Sequence, residues 1–228
     1  MKVLIIIPAY NEEENIEAVI DNLISNYSEY DYVIINDGSR DKTSEICHRH
    51  GYNIVDLPVN LGLAGAFQTG LKYADLNGYD YAVQLDADGQ HKPEYISDML
   101  KKMQENNDDI VIASRFETEK KPWTMRMLGS RLISGAIKLT TGKHLTDPTS
   151  GMRIYNSKMI HEFAANINYG PEPDTVSFLI KQGAKVESVQ VTMDERTAGE
   201  SYLNLSRSMI YMVRMIISIV LINNFRKR

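Results

Sequence analysis

The first 115 residues repeat one pattern: a short β-branched apolar run, a polar cluster, then an amphipathic stretch. The runs are Val3–Ile7, Tyr32–Ile35, Asn53–Leu57, Tyr81–Leu85 and Ile110–Ala113. Val3–Ile7 is continuously apolar rather than alternating, which suits a strand buried on both faces of a parallel sheet. Between the runs, Ile16, Val19, Ile20, Leu23 and Ile24 recur at helical spacing, with Asn11 read as a cap and Glu14 three residues later. Asp41 is read as the cap of a helix to about His50. Gly62 to Leu76 reads as a helix with small residues on one side, and Pro93 suits the first turn of another. Strands alternating with helices predict an α/β fold with a mostly parallel sheet.

Sheets of this kind bind ligands at the carboxyl ends of their strands. Polar clusters stand at those ends here: Tyr10-Asn11-Glu12, Asp37-Gly38-Ser39, Asp86-Ala87-Asp88 and Ser114-Arg115. The pattern therefore predicts one polar rim. Residues 116–150 are less regular, and Lys120-Lys-Pro-Trp123 reads as an exposed loop. The sheet is expected to resume near Met152–Tyr155 and Lys185–Val191.

Composition excludes several classes. Of 228 residues, 43% are hydrophobic, enough for a core without staples. The one cysteine, Cys47, rules out an intrachain disulfide, a zinc ribbon or any cluster of Cys ligands. A net charge of −5 argues against generic nucleic-acid binding. That charge is uneven: residues 196–228 hold six basic residues and one acid, leaving −10 on residues 1–195. The first apolar run stops at Pro8, too short for a secretory leader. Met209 to Ile222 is apolar but interrupted by Arg214 and Ser218, short of the ~20 residues of a spanning helix.

Two carboxylates one residue apart at a strand end, Asp86 and Asp88, suit a shared hard divalent cation such as Mg²⁺ or Mn²⁺. The Gln90 amide oxygen would add a ligand. Asp37 is placed to accept a hydrogen bond from a nucleobase N–H, or simply to make an Asp-Gly turn. No G-x-G-x-x-G follows the first strand, and no P-loop or G-x-S-x-G is present.

Taken in order, Pro8-Ala-Tyr-Asn-Glu12, Asn36-Asp-Gly-Ser-Arg-Asp41, Asn60-Leu-Gly62, Asp86-Ala-Asp-Gly-Gln-His91, Ser114-Arg115 and Asp147-Pro-Thr-Ser-Gly151 resemble family 2 glycosyltransferases of the GT-A fold. The Asp-x-Asp-x-Gln-His run and Asp147 to Arg153 resemble the dolichyl- and polyprenyl-phosphate sugar synthases in particular. The resemblance implies that Pro8, Tyr10, Glu12 and Asp37 hold the base and ribose of a nucleotide-sugar. It implies a metal on the donor diphosphate held by Asp86, Asp88 and Gln90. Arg115 and Arg131, with Ser134, would receive an acceptor phosphate, while Asp147 and Ser150 would line the sugar site. Asp88, Arg115, Arg131 and Asp147 are thus the expected catalytic set. Ser134, Ser150, Arg153, Glu172 and Arg196 are the expected substrate contacts. Glu172 and Asp174 either approach the sugar or are helix N-terminal carboxylates. Arg196 either touches a phosphate or pairs locally. One departure is Leu61-Gly-Leu-Ala-Gly65, where many relatives carry a basic residue after the glycine. Another is that many relatives carry C-terminal transmembrane helices.

The implied activity is inverting, metal-dependent transfer from a nucleotide-diphosphate sugar, expected to be a UDP-sugar, to undecaprenyl phosphate. It would supply lipid-linked sugar for surface polysaccharide at the cytoplasmic face of the membrane. The alternative is transfer to a saccharide hydroxyl, with Glu172 or Asp174 as base. A third reading is a silent nucleotide-sugar-binding module. The expected division is a catalytic domain at 1–200 and a basic amphipathic helix at 201–228. On that helix Glu200, Arg207, Arg214 and Ser218 fall within about 20° of one line and Tyr211 within about 40°. It would meet the membrane surface or a small membrane-protein partner, unless it is a core or dimer helix. A homo-oligomer is left open.

Overall fold

The computed structural model describes residues 1–166, 170–194 and 205–225. Among the described residues seven strands form one sheet: β1 (Val3–Ala9), β2 (Asp31–Asn36), β3 (Ile54–Asp56), β4 (Tyr81–Gln84), β5 (Ile110–Ser114), β6 (Arg153–Asn156) and β7 (Val186–Gln190). Their order is β3-β2-β1-β4-β6-β5-β7. All neighbours are parallel except those of β6, which runs antiparallel to both β4 and β5.

The continuous apolar run of β1 follows from its position. Leu4 and Ile6 enter one core, and Val3, Ile5 and Ile7 enter the other. Pro8 is tolerated because the β1–β4 ladder ends at Ile6↔Gln84, so no bond on that side needs its missing N–H. The second core holds α1 (Ile16–Asn26), α2 (Thr43–His50) and α4 (Ile96–Asn106). The first holds α3 (Gly62–Leu76), α5 (Met125–Thr141), α6 (Ser157–Ala165), α7 (Pro173–Lys181) and α8 (Leu205–Val220). The molecule is a three-layer α/β/α sandwich.

The structure departs from the sequence reading at several elements. Asn11 does not cap α1, which begins five residues later. Asn11 adopts φ +57° instead, and its Oδ1 accepts from Arg40 N at 2.8 Å while its own N–H donates to Ser39 Oγ. It ties the β1 and β2 loops together. Asp41 is not the N-cap of the helix that starts at Thr43, a place Lys42 takes, but from one residue earlier its Oδ1 accepts from Thr43 N at 3.0 Å. The stretch read as irregular contains the 17-residue α5. Its low-propensity Gly129 and Gly135 and its outward-facing leucines blur the helical signal.

The helix near the end of the chain is also more integrated than a separate tail. Met215 and Ile219 of α8 are buried in the first core. A Cβ on Gly129 would lie 1.6 Å from Met212 Sδ, so α5 and α8 cross there with no room for a side chain. The polar line on α8 splits: Arg214 is exposed, but Tyr211 and Ser218 turn inward.

Candidate active site

The parallel strands bring the expected rim together. At its β2 end, Asp37 is buried, donates its N–H to Ala9 O, and accepts from Leu61 N at 2.7 Å. Gly38 has φ +66°, and a Cβ there would meet the backbone of Val59 and Asn60 within 2.8 Å. Only glycine lets this loop lie against the start of α3. Tyr10 is exposed and Pro8 half-buried beside it. Glu12 is held by its N–H to Thr43 Oγ1 and by its carboxylate, which accepts from Asn15 Nδ2. Asp37 therefore has one oxygen committed to the protein, and the rest of this corner faces the rim.

At the end of β4, Asp86 and Asp88 are half-exposed, and among the described residues neither has a Lys or Arg partner. His91 is buried and its Nδ1 accepts from Asp86 N at 3.1 Å, so it shapes this turn. Gln90 N–H donates to Asp88 Oδ1, while its side-chain Nε2 reaches Asp194 O at 3.4 Å. Lys92 closes the same turn by pairing with Asp194 at 2.9 Å. A Cβ on Gly151 would sit 2.7 Å from Asp86 Oδ2, so the missing side chain keeps that oxygen open. Among the described residues no group of three His, Cys, Asp or Glu side chains forms a ready-made metal cage. Two uncompensated hard carboxylates still suit a cation that takes its remaining ligands from a phosphate and water.

The loop 147–151 links this turn to a second cluster. Asp147 is fully buried and grips Arg115 with both oxygens, at 2.7 Å to Nε and 3.1 Å to Nη2. Nη1 of Arg115 is left without a partner among the described residues, and the side chain is a quarter exposed. Lys121 belongs to the loop read as exposed, yet it is half-buried, donates to Ser130 Oγ at 2.9 Å, and lies over Phe116. Burial pushes its ammonium pKa down; the negative Asp147 opposes this, and the Arg131 and Arg115 charges push it down further. Arg131 donates to Pro122 O and stacks on Trp123 at 4.5 Å. Arg115 and Lys121 thus share one buried carboxylate, and Arg131 adds a third positive charge beside Lys121, an excess that suits a phosphate.

Four of the expected substrate contacts are buried or engaged within the protein. The Ser134 hydroxyl is buried and donates to Ser130 O of its own helix. The serine one turn earlier, Ser130, is the one beside Lys121 and Thr149. Ser150 Oγ is buried without a partner. Arg153 is 1% exposed and lies beneath the loop, donating to Ser150 O and Pro148 O. It holds the loop from below rather than meeting a ligand on the rim. Glu172 accepts from Tyr211 Oη, and Asp174 accepts from Ser218 Oγ at 2.6 Å. Both carboxylates of the α7 start therefore bind α8. Arg196 lies outside the described residues. A cavity of about 420 Å³ at the opposite rim, near Lys102, Asp108 and Lys143, carries none of these motifs.

The fold and rim define a GT-A glycosyltransferase. Residues 4–163 match the family model described as glycosyl transferase family 2. The chain is 30% identical over 216 residues to the undecaprenyl-phosphate mannosyltransferase of Micrococcus luteus, covering 90% of this chain and 88% of that protein. It is 31% identical to the UDP-N-acetylglucosamine–dolichyl-phosphate N-acetylglucosaminyltransferase of Methanococcus voltae, over 69% of this chain and 70% of that one. Its fold matches the glucosyl-3-phosphoglycerate synthase of Mycobacterium tuberculosis, solved with Mn²⁺, UDP and phosphoglyceric acid. That match has a TM-score of 0.68 at 18% identity and covers 100% of this chain and 80% of that one. The chain belongs to glycosyl transferase family 2.

Proposed function

We propose that this enzyme transfers a sugar from a nucleotide-diphosphate donor, a UDP-sugar, to a polyprenyl phosphate such as undecaprenyl phosphate, with inversion. The observation that carries the reading is the loop 147–151, which sets a cluster of cations within five residues of an open pair of carboxylates. Asp86 and Asp88 would hold Mg²⁺ or Mn²⁺, with Gln90 as a further oxygen ligand if its amide leaves Asp194. Such a cation neutralises charge on a departing diphosphate.

The remaining steps belong to the chain's own residues. Arg115, held in a fixed fork by Asp147, and Lys121 and Arg131 beside it, receive the acceptor phosphate and aim one oxygen at the anomeric carbon. The carbon–oxygen bond to the diphosphate breaks as the new one forms, and the nucleoside diphosphate leaves. An ionised phosphate needs no strong base to attack. The engagement of one oxygen each of Glu172 and Asp174 with α8 supports this reading over the saccharide-hydroxyl alternative, which would need one of them as base. Tyr10, Glu12 and Asp37 would hold the nucleoside; a lipid acceptor would put the reaction at a membrane surface, and the proposed face is the inner one of the cell membrane. Supply of lipid-linked sugar to a surface polysaccharide is the proposed role.

The test incubates purified protein with labelled nucleotide-sugars, undecaprenyl phosphate in detergent, and Mg²⁺ or Mn²⁺. Organic-phase label that EDTA removes, and that Asp88→Asn or Arg115→Ala lacks, supports the reading. Label appearing only as free sugar or on a glycan would refute the acceptor.

A further inference from the structure

Arg153 is the largest side chain shut fully inside the molecule. A guanidinium out of water is costly unless hydrogen bonds and an anion answer it. Its Nε and Nη2 donate to Ser150 O and Pro148 O, at 3.0 and 2.8 Å, and so hold the loop 147–151 from below. Nη1 has no hydrogen-bond partner among the described residues. Two carbonyls answer part of the charge. The anion comes from the layer beneath, at the start of α7.

Two tyrosines locate that anion. Tyr155 stands two residues after Arg153 on β6, hence on the same face of the sheet, and is fully buried. Tyr211 reaches in from α8 and donates its hydroxyl to Glu172. Burial raises the pKa of both hydroxyls; at each, the Glu172 charge raises it further and the Arg153 charge opposes. Both tyrosines therefore lie close to both charges. The Glu172 side chain is itself fixed at its base. A Cβ on Gly170 would lie 2.9 Å from Ala64 Cβ and 3.6 Å from Glu172 Cγ, so this turn is pressed against the start of α3. Asp174 is engaged separately, by Ser218 Oγ at its carboxylate and Asn223 Nδ2 at its carbonyl. One line of contacts thus runs from α8 to the rim: Tyr211 to Glu172, the Glu172 charge to Arg153, Arg153 to the loop carbonyls, and Asp147 of that loop to Arg115.

We infer that Glu172 and Tyr211 are positioning residues for the transfer: with Arg153 they brace the loop 147–151, and through Asp147 they set the Arg115 fork that receives the acceptor phosphate. Glu172 in this role supplies negative charge to a buried cation instead of taking a proton from a substrate. The inference rests on the acceptor-phosphate reading for its purpose, but the bracing of the loop does not depend on any substrate. The Ser218–Asp174 bond joins the same two helices without meeting Arg153, which makes it the natural control.

The experiment compares the full chain with Glu172→Gln, Tyr211→Phe and Ser218→Ala. Tyr211→Phe keeps the ring and so guards against a charge variant that fails to fold. Amide hydrogen exchange is read first, without substrate; the Ser150 amide, which donates to Asp147 O at 3.1 Å, reports on the loop. Exchange across residues 147–153 is expected to rise about tenfold in Glu172→Gln, about threefold in Tyr211→Phe, and not at all in Ser218→Ala. Rates with a labelled UDP-sugar and a short-chain polyprenyl phosphate are read second. Glu172→Gln should raise the acceptor KM about tenfold and leave the donor KM within about twofold, and Glu172→Asp, which keeps the charge, should recover part of the loss. Unchanged loop exchange in both Glu172→Gln and Tyr211→Phe overturns the inference. So does equal acceleration in Ser218→Ala, or faster exchange with an unmoved acceptor KM. Faster exchange in a protein that hydrolyses the donor but transfers to no phosphate sinks the acceptor reading alone and leaves the bracing of the loop standing.

Discussion

Gly129 and Gly135 lie on the same helix, and alanine at each tests whether α5 and α8 cross as described. Each substitution gains about 1 kcal/mol of helix propensity. Nothing lies within 4 Å of a Cβ on Gly135, so Gly135→Ala is expected to stabilise by that amount. On Gly129 the new carbon meets Met212 at 1.6 Å from Sδ, 2.6 Å from Cε and 2.7 Å from Cγ. Normal contact between such atoms is ~3.5–4 Å, so most of that side chain must move by about 1–2 Å. Overpacking of this kind costs about 1–3 kcal/mol. Because the propensity terms cancel, Gly129→Ala should be less stable than Gly135→Ala by that cost alone. For a chain of this size that is a melting difference of roughly 2–12 °C. Calorimetry or circular dichroism of the two variants reads it directly. Combining Gly129→Ala with Met212→Ala should recover much of the overpacking loss, after allowance for Met212→Ala alone. Equal melting temperatures for the two single variants would refute the α5–α8 crossing.

Other outcomes follow from the site. Asp147→Asn leaves Arg115 without its anion; because Arg115 is a quarter exposed, the expected loss is about 2 kcal/mol rather than the ~3–5 of a fully buried pair, measurable by urea titration. Gly151→Ala should push against Asp86 and His91, cutting transfer at least tenfold with a small change in melting, as steady-state rates would reveal. Lys121 has a depressed folded-state pKa, so between that value and the higher unfolded one the unfolded chain binds the extra proton and stability rises with pH. Phosphate binding should move the other way. It should weaken as pH climbs through the depressed value and stay flatter in Lys121→Arg, as followed by titration calorimetry with a short-chain polyprenyl phosphate.

Strands β1, β2, β4 and β5 were legible because each is a short apolar run with its polar residues at one end, the pattern a strand between two helical layers imposes. The motif residues on that rim were legible for the same reason. The reversed direction of β6 was not, because Arg153–Asn156 carries no mark of orientation; direction comes from its neighbours. Ser134 and Ser130 lie on one helical face four residues apart, and only the packing of α5 shows that Ser130 is the one beside Lys121. Lys121 itself was hidden in a loop rich in polar residues. The signal that would have found it is the pair Phe116 and Ser130, which frame its side chain from outside the loop. Glu172 and Asp174 were legible as carboxylates at a helix start, but their partners on α8 lie 39 and 44 residues away. No local pattern announces such pairs.

The placing of Met215 and Ile219 in the same core as Leu4 and Ile6 bears on how the chain is made. Strand β1 waits for a helix synthesised some two hundred residues later. Until then α5 lacks its neighbour across Gly129, and Glu172 and Asp174 lack the hydroxyls that bind them. A nascent chain halted near residue 200 would hold every rim motif and still expose the apolar underside of α5 and α7. Such an intermediate is prone to stick to other chains until α8 is made and packs against α5 and α7.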